Sequence, residues 1–332
     1  MLLRFSLLSI IVFIISGCTQ KIQIRALVPA EVDRAAQTKK IAVAVFENDR
    51  IGLSNKIEAN LVNKRIDNQK YFTIVNRKDF NKIIGEQKLQ NSGLIDVSTA
   101  VEVGSLIGAQ AIISGRVGRA TSNDTYYREN RIRCLDKKCK ETRKYRVRCT
   151  KRIVGLSAEI RMVDVTKGDL IYANTMNETS SWRHCQDDSR ALPTREIAAQ
   201  KLATQIASKF TYKLTPHYRY FRVVLLEDPD IEYNDREEKL LEVSIEYIKQ
   251  SRYDKAERFL IDLIDSTNQK SYVPFYNLGV IKEAQGNYAD AQEYYKSADD
   301  LVIEPVAEVS GAYLRIQGLI ENDNKSKEQL SR

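Results

Sequence analysis

Few side chains in this sequence are equipped for chemistry, and the five cysteines come first. Cys18 closes the run Ile15-Ser16-Gly17-Cys18, directly after an apolar stretch over residues 7–15 that only Ser9 interrupts and that Arg4 precedes. A run of nine residues is too short to span about 30 Å of hydrocarbon, but it fits the h-region of a secretory signal. Small residues at 16 and 17 admit the chain to a peptidase cleft, and the Cys18 thiol is the nucleophile at hand there. Export would place Cys134, Cys139, Cys149 and Cys185 in an oxidising compartment, where an even number of cysteines defaults to disulfides. Four cysteines allow three pairings. Two long strands are expected around the turn Thr166-Lys167-Gly168-Asp169, with Ile153, Leu156, Ala158, Ile160 and Met162 alternating along the first. A tight turn at Lys167-Gly168 would set Cys149 against residue 185 or 186, which favours Cys149–Cys185 with Cys134–Cys139 as a local clip. A four-cysteine zinc site is the alternative, although the spacing of 4, 9 and 35 intervening residues lacks C-x2-C knuckles.

The remaining reactive residue types are sparse. There are two histidines: His184 stands beside a cysteine that the bridge would consume, and His217 sits alone between Pro216 and Tyr218. Asp187-Asp188 and Asp299-Asp300 fall in polar contexts typical of solvated turns and helix ends. No nucleophile elbow, P-loop, H-E-x-x-H or dinucleotide fingerprint occurs, so a non-enzyme with no metal and no cofactor is expected.

The Cys18 segment resembles a bacterial lipoprotein lipobox, in which the cysteine is diacylated and becomes the new N-terminus. That implies a covalent lipid on Cys18, a leader over 1–17, and attachment to the outer membrane on its periplasmic face, since Thr19 rather than Asp follows. Several acyl chains, at roughly 0.8 kcal/mol per buried CH₂, make a stable anchor.

The elements that must position these residues are those of an ordinary globular chain. It has 332 residues, 43% hydrophobic and 29% charged, which suits about two domains and excludes wholesale disorder and multi-span membrane architectures. After a polar linker at 18–38, residues 40–46 read as an apolar strand and 53–66 as a helix. A second strand is expected over 71–75, helices over 77–89 and 97–107, and a third strand over 109–118. The long hairpin follows, then a helix over 194–213. Strands alternating with helices, then an antiparallel hairpin, predict a two-layer α/β domain with a mixed sheet over 39–226.

These residues resemble the CsgG family of curli-secretion lipoproteins. The likeness rests on the strand Lys40-Ile41-Ala42-Val43-Ala44-Val45-Phe46, on Tyr71-Phe72-Thr73-Ile74-Val75-Asn76-Arg77, and on Ile84-Gly85-Glu86-Gln87-Lys88-Leu89. It continues through Gly108-Ala109-Gln110-Ala111-Ile112-Ile113-Ser114-Gly115 and the hairpin from Ile160 to Ile171, in that order. The resemblance implies an anticodon-binding-like α/β fold and homo-oligomerisation; periplasmic activators of peptidoglycan synthases of the LpoB type share that fold. Secretion-competent relatives build a pore from two hairpins whose apolar residues face lipid. Here the first such position is charged: residues 126–152 hold 12 Lys/Arg and three acidic residues. The second, about 178–194, is short and polar, and Glu47-Asn48-Asp49-Arg50 does not match the family's constriction loop. Each Arg or Lys facing lipid near the midplane costs about 2–4 kcal/mol, so these strands are not expected to insert.

The basic segment includes Arg131, Arg133, Lys137, Lys138, Lys140, Arg143 and Lys144. It reads either as a solvated hairpin tip or as a contact for something anionic; export argues against nucleic acid. From 227 to 321 the pattern is helical and repeats every 35 residues, Ala256 falling on Ala291. The second copy (Phe275, Leu278, Gly279, Gly286, Tyr288, Ala291, Tyr295, Ala298) resembles a tetratricopeptide repeat, and a helix over 306–321 would cap it before a polar tail at 322–332. The resemblance implies a concave face near Tyr276, Val280 and Glu283 for protein partners, unless those residues simply pack on the first repeat. The expected role is an assembly or scaffold factor for an envelope or surface-fibre secretion machine; the alternatives are a CsgG-type ring channel and an activator of cell-wall synthesis.

Overall fold

The computed structural model describes residues 20–76 and 96–331; Cys18 and the helix expected over 77–89 lie outside them. Contacts divide the chain into two units, one of residues 28–217 with 325–332, the other of residues 1–27 with 218–324.

The first unit is α/β. Its central strand β2 (Lys40–Val43) pairs in parallel with β5 (Thr73–Ile74) and β6 (Ala111–Val117), while β3 (Arg65–Ile66) and β4 (Gln69–Lys70) form a separate antiparallel pair. β6 runs antiparallel to the end of β8 (Thr142–Asp164), whose earlier half pairs with β7 (Thr121–Cys134), and β9 (Asp169–Cys185) covers the opposite edge of β8. The sheet is mixed, as expected. It is, however, covered on both faces. Successive strand residues point to opposite sides, and Ile41, Ala42 and Val43 are all buried. Ala42, Ile112 and Val163 meet Ala100 and Val103 of α3 (Val97–Ile107). The other side packs on α2 (Leu53–Asn63) and α4 (Arg195–Lys213).

Several local choices explain the elements. Asp96 accepts from the Thr99 amide at 2.9 Å as the N-cap of α3, and Thr194 does the same for α4 through Ile197. The polar Glu47–Arg50 loop holds Asp49, whose carboxylate receives the amides of Leu53 and Ser54 that open α2. The β8–β9 turn is closed by Asp164, which accepts from Thr166 and Lys167, and Gly168 supplies the left-handed backbone (φ 67°). Arg34 clamps the same turn through Asp164 at 2.8 Å and Asp169 at 2.7 Å.

Three sequence expectations need correction here. The segment 18–38, expected as a polar linker, holds β1 (Lys21–Val28) and α1 (Asp33–Gln37), because alternate residues of β1 have an apolar cluster to enter. The inward residue at the middle of β8 is Val154, not Ile153, which is 36% exposed. The C-terminal residues are no free tail: α9 (Ala307–Ser331) continues through them. There Gln329 is buried, its side chain bonding Ala30 on both N–H and C=O and its backbone oxygen accepting from Lys39 Nζ.

The second unit is a helical, repeat-like domain. α5 (Asp235–Lys249) with α6 (Tyr253–Ser266) and α7 (Tyr272–Gln285) with α8 (Tyr288–Leu301) form two helix pairs, followed by α9. The 35-residue offset holds in space: Ser244 and Gly279 occupy equivalent buried positions. At Gly279 an added Cβ would lie 2.5 Å from the Tyr295 ring, whereas the first repeat has Leu260 in place of that tyrosine. The smaller Leu260 leaves room for Ser244, whose hydroxyl donates to the Leu241 carbonyl at 2.7 Å. β1 and β10 (His217–Val224) form a two-stranded sheet, and their inward residues Ile22, Ile24 and Val223 join the core of this unit. The division between units therefore falls at the start of β10, earlier than the polar break at Asp228-Pro229-Asp230.

Candidate functional site

Two places were expected to meet partners. The first, on α7, is already full. Tyr276, Val280 and Glu283 are each no more than 1% exposed, so none of them presents a surface to a partner. Tyr276 donates to the Val224 carbonyl at 2.9 Å, and Asn277 takes both backbone groups of Leu226, at 3.0 and 2.8 Å. An asparagine side chain that bonds N–H and C=O of one residue acts as a short stretch of sheet edge. Glu283 receives Arg315 on both carboxylate oxygens, at 2.9 and 2.8 Å, and also the Tyr295 hydroxyl. Burial, then the nearby Glu283 charge, holds the Tyr295 phenol far above its ordinary range. The physical reason for the correction is that the segment 218–226 of the chain itself lies on this helix. The sequence carried one hint: an Asn and a Glu at interior positions of an otherwise apolar helix need partners from elsewhere.

The second place is the ribbon formed by β7 with β8 and the end of β9. Cys149 is the direct cross-strand partner of Cys185, with Cα atoms 4.0 Å apart, and the two are bridged; a second bridge joins Cys134 to Cys139. With all four sulfurs engaged, a tetrathiolate zinc set is unavailable to these cysteines. Tyr127, Tyr145 and Val147 pack around the Cys149–Cys185 bridge. Above them Glu129, Asp187 and Asp188 gather Arg131 and Arg183, at 2.7 to 3.6 Å. The Tyr145 hydroxyl donates to Asp187 at 2.6 Å and the Cys185 amide to Asp188 at 2.7 Å, and these bonds hold both carboxyls below the usual carboxylate range. Carboxylates beside cysteines in this way look like a metal set, but the sulfurs are oxidised and the arginines already balance the acids. His184 bonds the Arg190 carbonyl through Nδ1 at 2.7 Å, a structural role. His217 lies tilted against the Tyr212 ring, and burial pulls its imidazole below the ordinary range.

The structure thus separates the basic residues proposed from sequence. Arg131 is neutralised within the ribbon. Arg133, Lys137, Lys138, Lys140, Arg143 and Lys144 are exposed, around a turn where Asp136 receives the amides of Lys140 and Glu141. Sequence reasoning missed Arg128, Arg146 and Arg148 as a group, because which strand residues share a face depends on the β7–β8 register.

What these features define is an α/β domain carrying a disulfide-clipped, charged ribbon, together with a helical, repeat-like domain. Residues 19–127 match the family model described as curli production assembly/transport component CsgG, so the CsgG resemblance stands over that stretch. No curated protein matches the chain. Among solved structures, lipoprotein GNA1162 from Neisseria meningitidis aligns at 13% identity over 51% of this chain and 99% of its own, with a TM-score of 0.26. Hypothetical protein CT253 from Chlamydia trachomatis aligns at 10% identity over 53% of this chain and 98% of its own, with a TM-score of 0.28. No helix among the described residues is long and apolar enough to cross a membrane.

Proposed function

We propose that the chain is a non-enzymatic envelope lipoprotein, lipid-anchored through Cys18 at the periplasmic face of the outer membrane. There it serves as an assembly or scaffold factor for a secretion or surface-fibre machine. The family match over 19–127 supports the envelope setting. The observation that carries the scaffold reading is the ribbon's surface. Its exposed side bears Arg128, Lys144, Arg146 and Arg148, and its opposite side bears the Arg131–Glu129–Asp187–Asp188 cluster. Neither side offers the unbroken apolar row that a lipid-facing pore strand needs. Partners would then meet surfaces other than the filled face of α7.

A ring channel is the second reading, and the length of β8 favours it: 23 residues reach about 75 Å at roughly 3.3 Å each, long enough for a transmembrane hairpin. Sizing the lipidated protein in detergent by mass photometry with negative-stain imaging separates the two. Monomers or small oligomers without a transmembrane belt are expected. A closed ring with a detergent belt would replace the scaffold reading by the channel.

A further inference from the structure

The hairpin of β7 and β8 has two unlike sides, and register assigns every residue to one of them. Residues directly opposite across an antiparallel pair share a face. Tyr127, Glu129 and Arg131 therefore lie with Tyr145, Val147 and Cys149, and this side is covered: all six are buried or half-buried. The other side pairs Tyr126 with Thr150, Arg128 with Arg148, Asn130 with Arg146, and Ile132 with Lys144. All of these but Thr150 are exposed, Tyr126 by 76% and Ile132 by 63%. Four cations thus share one side of the ribbon with no acidic residue among their register partners. None of the four has an ion-pair partner among the described residues, whereas Arg131 on the covered side contacts three carboxylates.

The spacing is that of an extended row. Lys144, Arg146 and Arg148 follow one another at about 7 Å, and Arg128 stands beside Arg148 at about 5 Å. Setting two arginines directly opposite each other is unfavourable in itself. The arrangement is therefore suited to an external array of negative charges. The neighbours say which kind. Tyr126 lies at one end of the row and Ile132 at the other, with Leu135 beyond it 59% exposed in the turn. Aliphatic side chains beside cations gain from an apolar phase lying just behind a charged layer, and tyrosine favours that boundary.

We propose that this side of the hairpin is a docking surface for an anionic phospholipid bilayer, with Arg128, Lys144, Arg146 and Arg148 meeting the phosphates while Tyr126 and Ile132 enter the interfacial layer. It rests on the scaffold reading, because in a channel the same hairpin would span the bilayer, but it requires neither the Cys18 lipid nor a ring.

The test uses the chain from Thr19 to Arg332, which keeps every described residue and lacks the acylation site. Co-sedimentation is measured with phosphatidylcholine vesicles, with and without phosphatidylglycerol, over a salt series. Binding is expected only with phosphatidylglycerol and falls as salt rises. The triple variant Arg128→Ser/Arg146→Ser/Arg148→Ser should bind at least about tenfold more weakly. Lys137→Ser/Lys138→Ser/Lys140→Ser, which removes equal charge from the turn, should stay within about threefold of the parent. Circular dichroism reports whether each variant is folded. Should the triple variant fail to fold, Ile132→Ser serves instead, with binding severalfold weaker than the parent's at every salt concentration. Binding without dependence on phosphatidylglycerol overturns the proposal, as does an equal loss in the two triple variants. So does full competition by soluble polyglutamate together with binding that Ile132→Ser leaves unchanged, which would assign the surface to an acidic protein.

Discussion

On the inner face of α7 the polar groups of Tyr276, Asn277 and Glu283 are already bonded within the chain, whereas along β7 and β8 four cations have no ion-pair partner among the described residues. Both regions carry side chains of the kinds that recognise ligands, and their surroundings decide what becomes of them. Glu283 is fully buried, where an unpaired carboxylate would be costly, so Arg315 and Tyr295 are drawn to it. Arg128 and Arg148 stand in water, where an unpaired guanidinium costs little, and the fold leaves them facing each other. Residue type alone does not mark a binding surface. An unbalanced charge that the fold could have paired, and did not, is the stronger sign.

The comparison breaks most sharply at Glu283. Replacing it by alanine strands Arg315 between the Phe221 and Tyr295 rings, and breaking a buried pair from one side costs about 3–5 kcal/mol. Because the Arg315 side chain keeps a quarter of its surface exposed, the lower end of that range is expected in urea unfolding. A loss below about 1 kcal/mol would mean that Arg315 swings out to solvent. The face of α7 would then be held by packing rather than by charge.

Asn277→Ala is the next step down. It removes two hydrogen bonds to Leu226 and leaves that residue's backbone groups unpaired in a half-buried place, for a cost of about 1–3 kcal/mol. Amide exchange at Leu226 should speed up while exchange in α5 and α6 stays unchanged. If Leu226 exchanges at its original rate, β10 and its neighbours hold the segment on α7, and Asn277 only decorates it.

Much of this was legible beforehand, and the part that was not has a common cause. The 35-residue offset, the β8–β9 turn and the Cys149–Cys185 pairing follow from local rules: helical period, turn chemistry, and counting outward from Gly168. The N-terminal strand β1 was misread because its partner, β10, lies about two hundred residues away, and a short strand between polar residues shows its purpose only once paired. Neither an open face at Tyr276, Val280 and Glu283 nor packing on the first repeat alone foresees their burial, for the same reason: the segment that covers them comes from outside the repeat. The seven basic residues proposed from sequence included Arg131, whose partners Asp187 and Asp188 arrive from beyond β9. Local periodicity gives each strand its two sides, and only long-range register says which side stays bare.

The finest test asks whether the covered side of the hairpin can be made to resemble the bare one. Asp187→Asn/Asp188→Asn removes two of the three carboxylates around Arg131 and leaves only Glu129, at 3.6 Å. If balance by those acids is what silences this side, the double variant should bind phosphatidylglycerol vesicles more tightly than the parent at neutral pH, by about two- to fivefold. The parent supplies an independent check through pH. Bonds from Tyr145 and from the Cys185 amide hold Asp187 and Asp188 below the usual carboxylate range, so their contribution to stability is complete above about pH 4 and is lost as pH falls through their lower native values. Near-ultraviolet circular dichroism of Tyr127 and Tyr145 should therefore be flat from neutral pH to about pH 4 and change below it, and the double variant should lack that acid limb. A double variant that binds vesicles no better, with its tyrosine signal intact, would show that the covered side is silent because it is sterically closed. The contrast between the two sides would then be one of access and not of charge.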